Sequence, residues 1–172
     1  MRHSTALFAT RVTLRTLVVL NWIFGALILG MLAISFAAED WTWRALGVGP
    51  VAGHEAVVAG MRAIMVIGIA GVPISYLVFS RLLRIVESVR RGEAFTSDNA
   101  GRLRTIAWAM GGLQVLHICV VAIASAVSTK EVPLHINSNV HITGWLAIPM
   151  LFVLAQVFLE GTRMREDLEG TV

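Results

Sequence analysis

The 172-residue chain is 56% apolar, has a mean hydropathy of +0.75, and carries 14 Lys and Arg against 11 Asp and Glu, a net charge of +3. That apolar fraction exceeds the ~45–50% of ordinary globular proteins, and the segments between the apolar runs are too short to fold as a separate soluble enzyme domain. The single cysteine, Cys119, excludes an intramolecular disulfide and any thiol chemistry that needs a cysteine pair.

Four apolar runs are predicted as spanning helices, at about 17–37, 57–79, 103–127 and 142–159. Each approaches the ~20 residues a helix needs to cross ~30 Å of hydrocarbon. The expected fold is all-α: an integral membrane four-helix bundle forming a single domain over residues 1–172. A cytoplasmic junction at 80–102 joins spans two and three, and outer loops lie at 38–56 and 128–141.

The first run follows a basic leader and ends in small residues, as a secretory signal does. It exceeds the 7–15 apolar residues of a signal core, so it reads as a membrane helix. Asn21 lies near its inner end. Ala26 and Gly30, and Ala33 and Ala37, are four apart and form predicted packing faces for close helix approach. The first outer loop contains Trp41 and Trp43, suited to the membrane–water interface, and turn-forming Gly47, Gly49, Pro50 and Gly53.

The second run contains Gly68, Gly71 and Pro73. Proline lacks an amide hydrogen and should bend the helix unless a neighbour occupies the freed carbonyl. Its continuation, RLLRIVESVRRG from Arg81, repeats Leu82, Ile85, Val86 and Val89 at helical spacing among arginines. This predicts an amphipathic extension of the span that stops at Gly92. Phe95 can enter the interface, Thr96 or Ser97 can cap the next helix, and Asp98 suits its first turn.

The third run offers Ala107, Gly111 and Gly112, then Ala122 and Ala126, as further packing faces. In the second outer loop, Val132, Leu134 and Ile136 alternate as a short strand would. The fourth run contains Gly144 and Pro149.

Charge placement predicts orientation. Arg2, Arg11 and Arg15 precede the first run, Arg81, Arg84, Arg90, Arg91, Arg102 and Arg104 crowd the second junction, and Arg163 and Arg165 follow the fourth run. The other side holds only Arg44 and Lys130, with Arg62 just inside the second run. This positive-inside pattern puts both termini of a multi-pass membrane protein in the cytoplasm. The basicity is thus a topology signal, with anionic-lipid contact as its secondary meaning and no direct nucleic-acid binding.

Two segments, RIVESVRRGEAFTSDNAGRLR from Arg84 and LAQVFLEGTRMREDLEGTV from Leu154, resemble a bacterial four-span membrane family defined only as a domain of unknown function. Where that family often has proline before the aromatic, this chain has Ala94. The resemblance implies a membrane component of a regulatory pair, because members are often encoded beside a small helix-turn-helix transcription regulator. It implies no catalytic residues.

The chemistry available is sparse. His117 is the only histidine deep in a run, with Gln114 three residues before it; both are ligand-contact candidates, though an interhelical hydrogen bond is the commoner role. A bis-histidine haem would need a second histidine at that depth, and no other run supplies one. Asn21 and Arg62 are further ligand or packing candidates, Arg62 within snorkelling reach of the outer interface or of Glu55, Glu39 or Asp40. His54, His135 and His141 form a weak outward-facing metal candidate without rigid ligand spacing. Arg84, Arg90, Arg91, Phe95, Asp98 and Asn99 are candidates for partner or lipid contact.

No nucleophile–base pair or nucleotide loop is present, so an enzyme is not expected, and no cofactor is specified. The leading expectation is a membrane sensor or regulatory component working with a cytoplasmic transcription regulator. The alternative is a small transporter or lipophilic-ligand-binding protein, acting as a homodimer.

Overall fold

A computed structural model describes residues 2–37, 54–128 and 142–169. These form four helices: α1 (Arg2–Ala37), α2 (His54–Arg90), α3 (Ser97–Val127) and α4 (Ile142–Glu169), with no strand among the described residues. The expected all-α four-helix bundle is what the chain forms. Each helix contains one predicted span and overshoots it. The outer-loop features, including Trp41, Trp43, His135, His141 and the alternation at 132–136, lie outside the described residues.

All four helices are long and apolar enough to cross a membrane, and their apolar side chains are barely covered by protein. In the most apolar 18-residue window of each, the buried share is between 0% in α1 and 17% in α3. A water-soluble bundle would turn such faces inward. Exposure of Phe8, Trp22, Phe24, Leu27, Trp108, Met150 and Val153 on the helix surfaces is the pattern of a multi-pass membrane protein, in which lipid covers them.

The chain divides into two compact units. One comprises residues 1–20, 74–114 and 141–172, the other 21–73 and 115–140. In the first unit, α3 lies at the centre: Ala100, Leu103, Ile106, Ala107 and Ala109 are buried, with Ala107 at 0% exposure. Trp108 meets Phe152 of α4 edge to face, with ring centroids 5.6 Å apart. Gly111 and Gly112 bring α3 against Ile148 and Ile74, each 3.9 Å from where a methyl group would stand.

The second unit is held by α1 and α2, with α3 closing against α2. Val57, Val58, Val72 and Ala124 are buried. Gly60 faces Val127 so closely that an added methyl would stand 2.7 Å from a valine methyl.

From residue 8 onward, every α1 residue that is not exposed falls in one series: Arg11, Leu14, Val18, Asn21, Gly25, Ile28, Leu32 and Ser35. The steps alternate three and four, the 3.5-residue period of a left-handed helix seam. Ala26, Gly30, Ala33 and Ala37, expected from their spacing to pack, are instead exposed, and a methyl at Gly30 would meet nothing within 4 Å. Gly25 belongs to the seam because it stands opposite Val72, whose methyls would lie 3.0 Å from a methyl added there. Ala122 and Ala126 of α3 are likewise exposed.

α2 continues unbroken through Pro73. Asn21 of α1 donates its side-chain amide to the carbonyl of Val72, the residue before that proline, at 3.1 Å. A buried amide in a helix seam favours one register over its neighbours, because a one-turn slip leaves it unpaired in an apolar surrounding.

Candidate functional site

Among the described residues, the connection between α2 and α3, residues 91–96, is held by a network of hydrogen bonds and lies within the unit that contains the arginine-rich helix ends. α2 ends in a Schellman motif: the Glu93 amide donates to the Ser88 carbonyl and the Gly92 amide to the Val89 carbonyl, each at 3.0 Å. Gly92 takes φ +81°, the left-handed conformation that glycine adopts without a side-chain penalty. Thr96, of the two candidates, caps α3: its hydroxyl accepts from the Asn99 amide at 3.3 Å and its carbonyl takes the first helical bond from Ala100.

Asn99 ties these two helix ends together. It is 0% exposed. Its side-chain nitrogen donates to the Ser88 hydroxyl at 2.6 Å, the Ala94 carbonyl at 2.8 Å and the Glu93 carbonyl at 3.2 Å. The Ser88 hydroxyl is itself spent on the Ile85 carbonyl, so its oxygen is left to accept. On the other side, the Asn99 carbonyl oxygen accepts from Arg102 at 2.8 Å, and Arg102 also reaches Asp98 at 3.4 Å. Donors and acceptors on opposite sides leave only one orientation of the amide that satisfies all of them.

By sequence Asn99 is a contact candidate, but a fully buried side chain touches neither partner nor lipid; it shapes the surface from inside. Ser88 and Arg102 are functional to this arrangement and escape sequence reasoning. Ser88 is the sole uncharged polar residue in RLLRIVESVRRG, which is a usable signal.

Phe95, expected to enter the interface, makes a contact within the protein. Its ring packs at 5.2 Å from Phe158 of α4 and lies over Gly161, while 47% of its surface stays exposed. Thr162 beside it is buried and turned back onto the Phe158 carbonyl. A methyl on Gly161 would stand 2.8 Å from the Phe95 ring. Gly161→Ala is therefore expected to displace Phe95 and destabilise the junction by about 1–3 kcal/mol, the usual cost of overpacking. Limited proteolysis of the 91–96 connection reads this directly: faster cleavage than wild type is the expected result.

The arginines at this end divide by partner. Glu87 accepts from Arg90 at 3.3 Å and lies 3.8 Å from Arg11 of α1; Arg91 pairs with Glu93 and Arg163 with Glu160. Arg104 reaches the Gln156 side-chain oxygen at 3.3 Å. Arg90, Arg91 and Asp98 are exposed and lie on the surface of the junction, while Arg84 is exposed on α2.

The remaining candidates lie elsewhere. Asn21 and Arg62 belong to the second unit, and both are structural contacts. Arg62 donates to the Ser35 carbonyl at 2.6 Å, approaches the Ser35 hydroxyl at 3.4 Å and lies 4.2 Å over the Phe36 ring. It thereby ties α2 to the last described turn of α1. The sequence suggests Glu55, Glu39, Asp40 or snorkelling for Arg62 and gives no sign of Ser35; Glu39 and Asp40 lie outside the described residues.

Gln114 is half-buried with its amide lying against Gly144 of α4, where no side chain would fit without moving it. His117 is half-buried on α3. An open apolar groove of about 660 Å³ runs along α4 past Leu146, Met150 and Leu154, and neither Gln114 nor His117 lines it. His54 begins α2, while the other two metal candidates lie outside the described residues; among those residues no cluster of three metal-ligating side chains occurs.

A family model described as "Protein of unknown function (DUF2975)" matches residues 35–172. No curated protein and no solved structure matches the chain.

Proposed function

Given that the chain belongs to the DUF2975 family, whose members are proteins of unknown function, we propose that it is a membrane sensor or regulatory component whose α2–α3 junction docks a cytoplasmic partner. The arginine-rich end, and with it both termini, faces the cytoplasm of a bacterial inner membrane in this reading, as the distribution of basic residues favours. The partner class is a small helix-turn-helix transcription regulator. The bundle receives the signal, and the junction passes it on.

One observation carries the reading: the fully buried Asn99 fastens both flanking helices to a six-residue connection. A simple link between two spans needs no such rigidity, since short loops tolerate motion at little cost. A docking surface does need it, because ordering a loose loop on binding subtracts from affinity. The junction holds Arg90, Arg91 and Asp98 on a rigid frame, with charges of both signs available for complementary contact.

The test is mild-detergent affinity purification from the native host, comparing wild type with Arg90→Glu/Arg91→Glu. Both residues are exposed and their ion pairs are of the surface kind, so folding and insertion should be nearly unaffected. Wild type should retain a small DNA-binding protein near stoichiometry, and the reversed variant should lose at least tenfold of it. Undiminished retention by the reversed variant removes the junction as the docking surface. A bundle purified alone with a bound small molecule favours ligand binding or transport instead.

A further inference from the structure

Four stretches of the helices contain no charged residue: 16–37, 63–80, 105–127 and 142–159. Moving along each towards the arginine-rich end, the first charges met are Arg15, Arg81, Arg104 and Glu160, all within one compact unit. On α2 the uncharged stretch between Arg62 and Arg81 rises about 28 Å, close to the ~30 Å of a hydrocarbon layer. These first charges therefore mark one edge of the apolar layer, the level at which lipid phosphates lie.

Arg104 at this level reaches Gln156, but Arg15 and Arg81 differ from the arginines farther out. Arg11 and Arg90 share Glu87, Arg91 has Glu93, Arg102 has Asp98 and Arg163 has Glu160. Arg15, Arg81 and Arg84 make no hydrogen bond or ion pair among the described residues, and Arg15 and Arg84 are exposed. α1 and α2 run antiparallel, as the contacts of Asn21 with Val72, Ile28 with Gly68 and Ser35 with Arg62 require. Arg15, one turn along α1 from Arg11, thus stands level with the α2 turn of Arg84, one turn back from Glu87. Arg81 follows, about one turn deeper. Like charges at one level on adjoining helices repel, and an anion between them reverses the sign of the interaction.

We propose that Arg15 and Arg84, with Arg81 one turn deeper, form a binding site for the phosphate of an anionic lipid headgroup at the edge of the α1–α2 hairpin. The guanidinium group suits this ligand, since its planar fork gives two parallel hydrogen bonds to phosphate oxygens and stays charged at any physiological pH. The site is distinct from the docking surface proposed above: Arg90 and Arg91, equally basic in sequence, already hold carboxylates.

The experiment is native mass spectrometry of the full-length protein in mild detergent, titrated with phosphatidylglycerol or phosphatidylcholine. Wild type should bind phosphatidylglycerol in preference. Arg15→Gln/Arg84→Gln should bind it roughly 30-fold more weakly, Arg90→Gln/Arg91→Gln as wild type, and Arg15→Lys/Arg84→Lys, which keeps the charge without the fork, should fall between wild type and the Gln variant. Inorganic phosphate that displaces the lipid at millimolar concentration would assign the site to the phosphate group from either source; no displacement assigns it to the lipid. Equal binding of both lipids by wild type overturns the proposal, as does unchanged binding by the Gln variant. If the Gln variant does not fold, wild type at 0.5 M NaCl decides: an exposed charge site loses its preference there, and a preference that persists overturns it.

Discussion

Asn99→Ala is expected to lower the melting temperature of the detergent-solubilised protein by roughly 10 °C, corresponding to about 3–4 kcal/mol. The substitution removes an amide that is 0% exposed and leaves the Ser88 hydroxyl, the Glu93 and Ala94 carbonyls and one Arg102 N–H without it. The buried bond to Ser88 and the two part-buried bonds to the carbonyls are lost together, and unmet buried groups cost more than the net value of the bonds. Asn99→Asp separates the contributions. It keeps the oxygen that accepts from Arg102 but turns a second oxygen towards two carbonyls, so it should destabilise as much as alanine. Retention of the Arg102 contact does not compensate for losing the donors. A shift below about 2 °C for both variants would show that the connection is held by its Schellman turn and Thr96 cap alone.

The second large effect is expected at Arg62. Arg62→Leu deletes the charged hydrogen bond to the Ser35 carbonyl and the contact over Phe36, together about 2–3 kcal/mol. Its sign is diagnostic. Leucine partitions into lipid more readily than arginine, so membrane insertion should be unimpaired or improved. The loss should appear only in the α1–α2 contact, as faster amide exchange over residues 33–37 with exchange in α3 unchanged. Arg62→Lys should fall between, since an ammonium supplies charge without the fork that reaches both Ser35 oxygens. Wild-type exchange in that turn of the leucine variant would reduce Arg62 to an interfacial charge.

How much of this is legible in the sequence depends on the range of the interaction. The four helices are, because ~20 consecutive apolar residues have no other stable setting and the signal is summed over a whole span. The α2 stop at Gly92 and the Thr96 cap are too, since a glycine after an amphipathic run and a Thr before an acidic first turn act through bonds a few residues long. The packing faces are not. Ala26 and Gly30 have the same spacing as true interfaces, yet they are exposed, while Gly25 meets Val72. Small-residue spacing says that a face can be approached, and the rotation of α1 decides which face is.

The candidate site shows the same division. Asn99 stands out as part of a polar segment, but its burial follows from Ser88 standing eleven residues earlier on another helix. Arg62 suggests a carboxylate or the interface, and nothing in its own segment points to the backbone carbonyl of Ser35 on α1. Arg84, Arg90 and Arg91 look equivalent in a basic run. Only the positions of Glu87 and Glu93 separate the last two from the first.

The sequence by itself determined the membrane class, the four apolar spans and the local signals that end α2 and begin α3, because hydropathy and capping are properties of contiguous residues. The tertiary structure alone decided the seam of α1, the bond from Arg62 to Ser35, the Asn99 clasp and the ion pairs of Arg11, Arg90, Arg91, Arg102 and Arg163. Those depend on which turn of one helix faces which turn of another, and a register is chosen by the sum of contacts along both helices rather than by any residue in either.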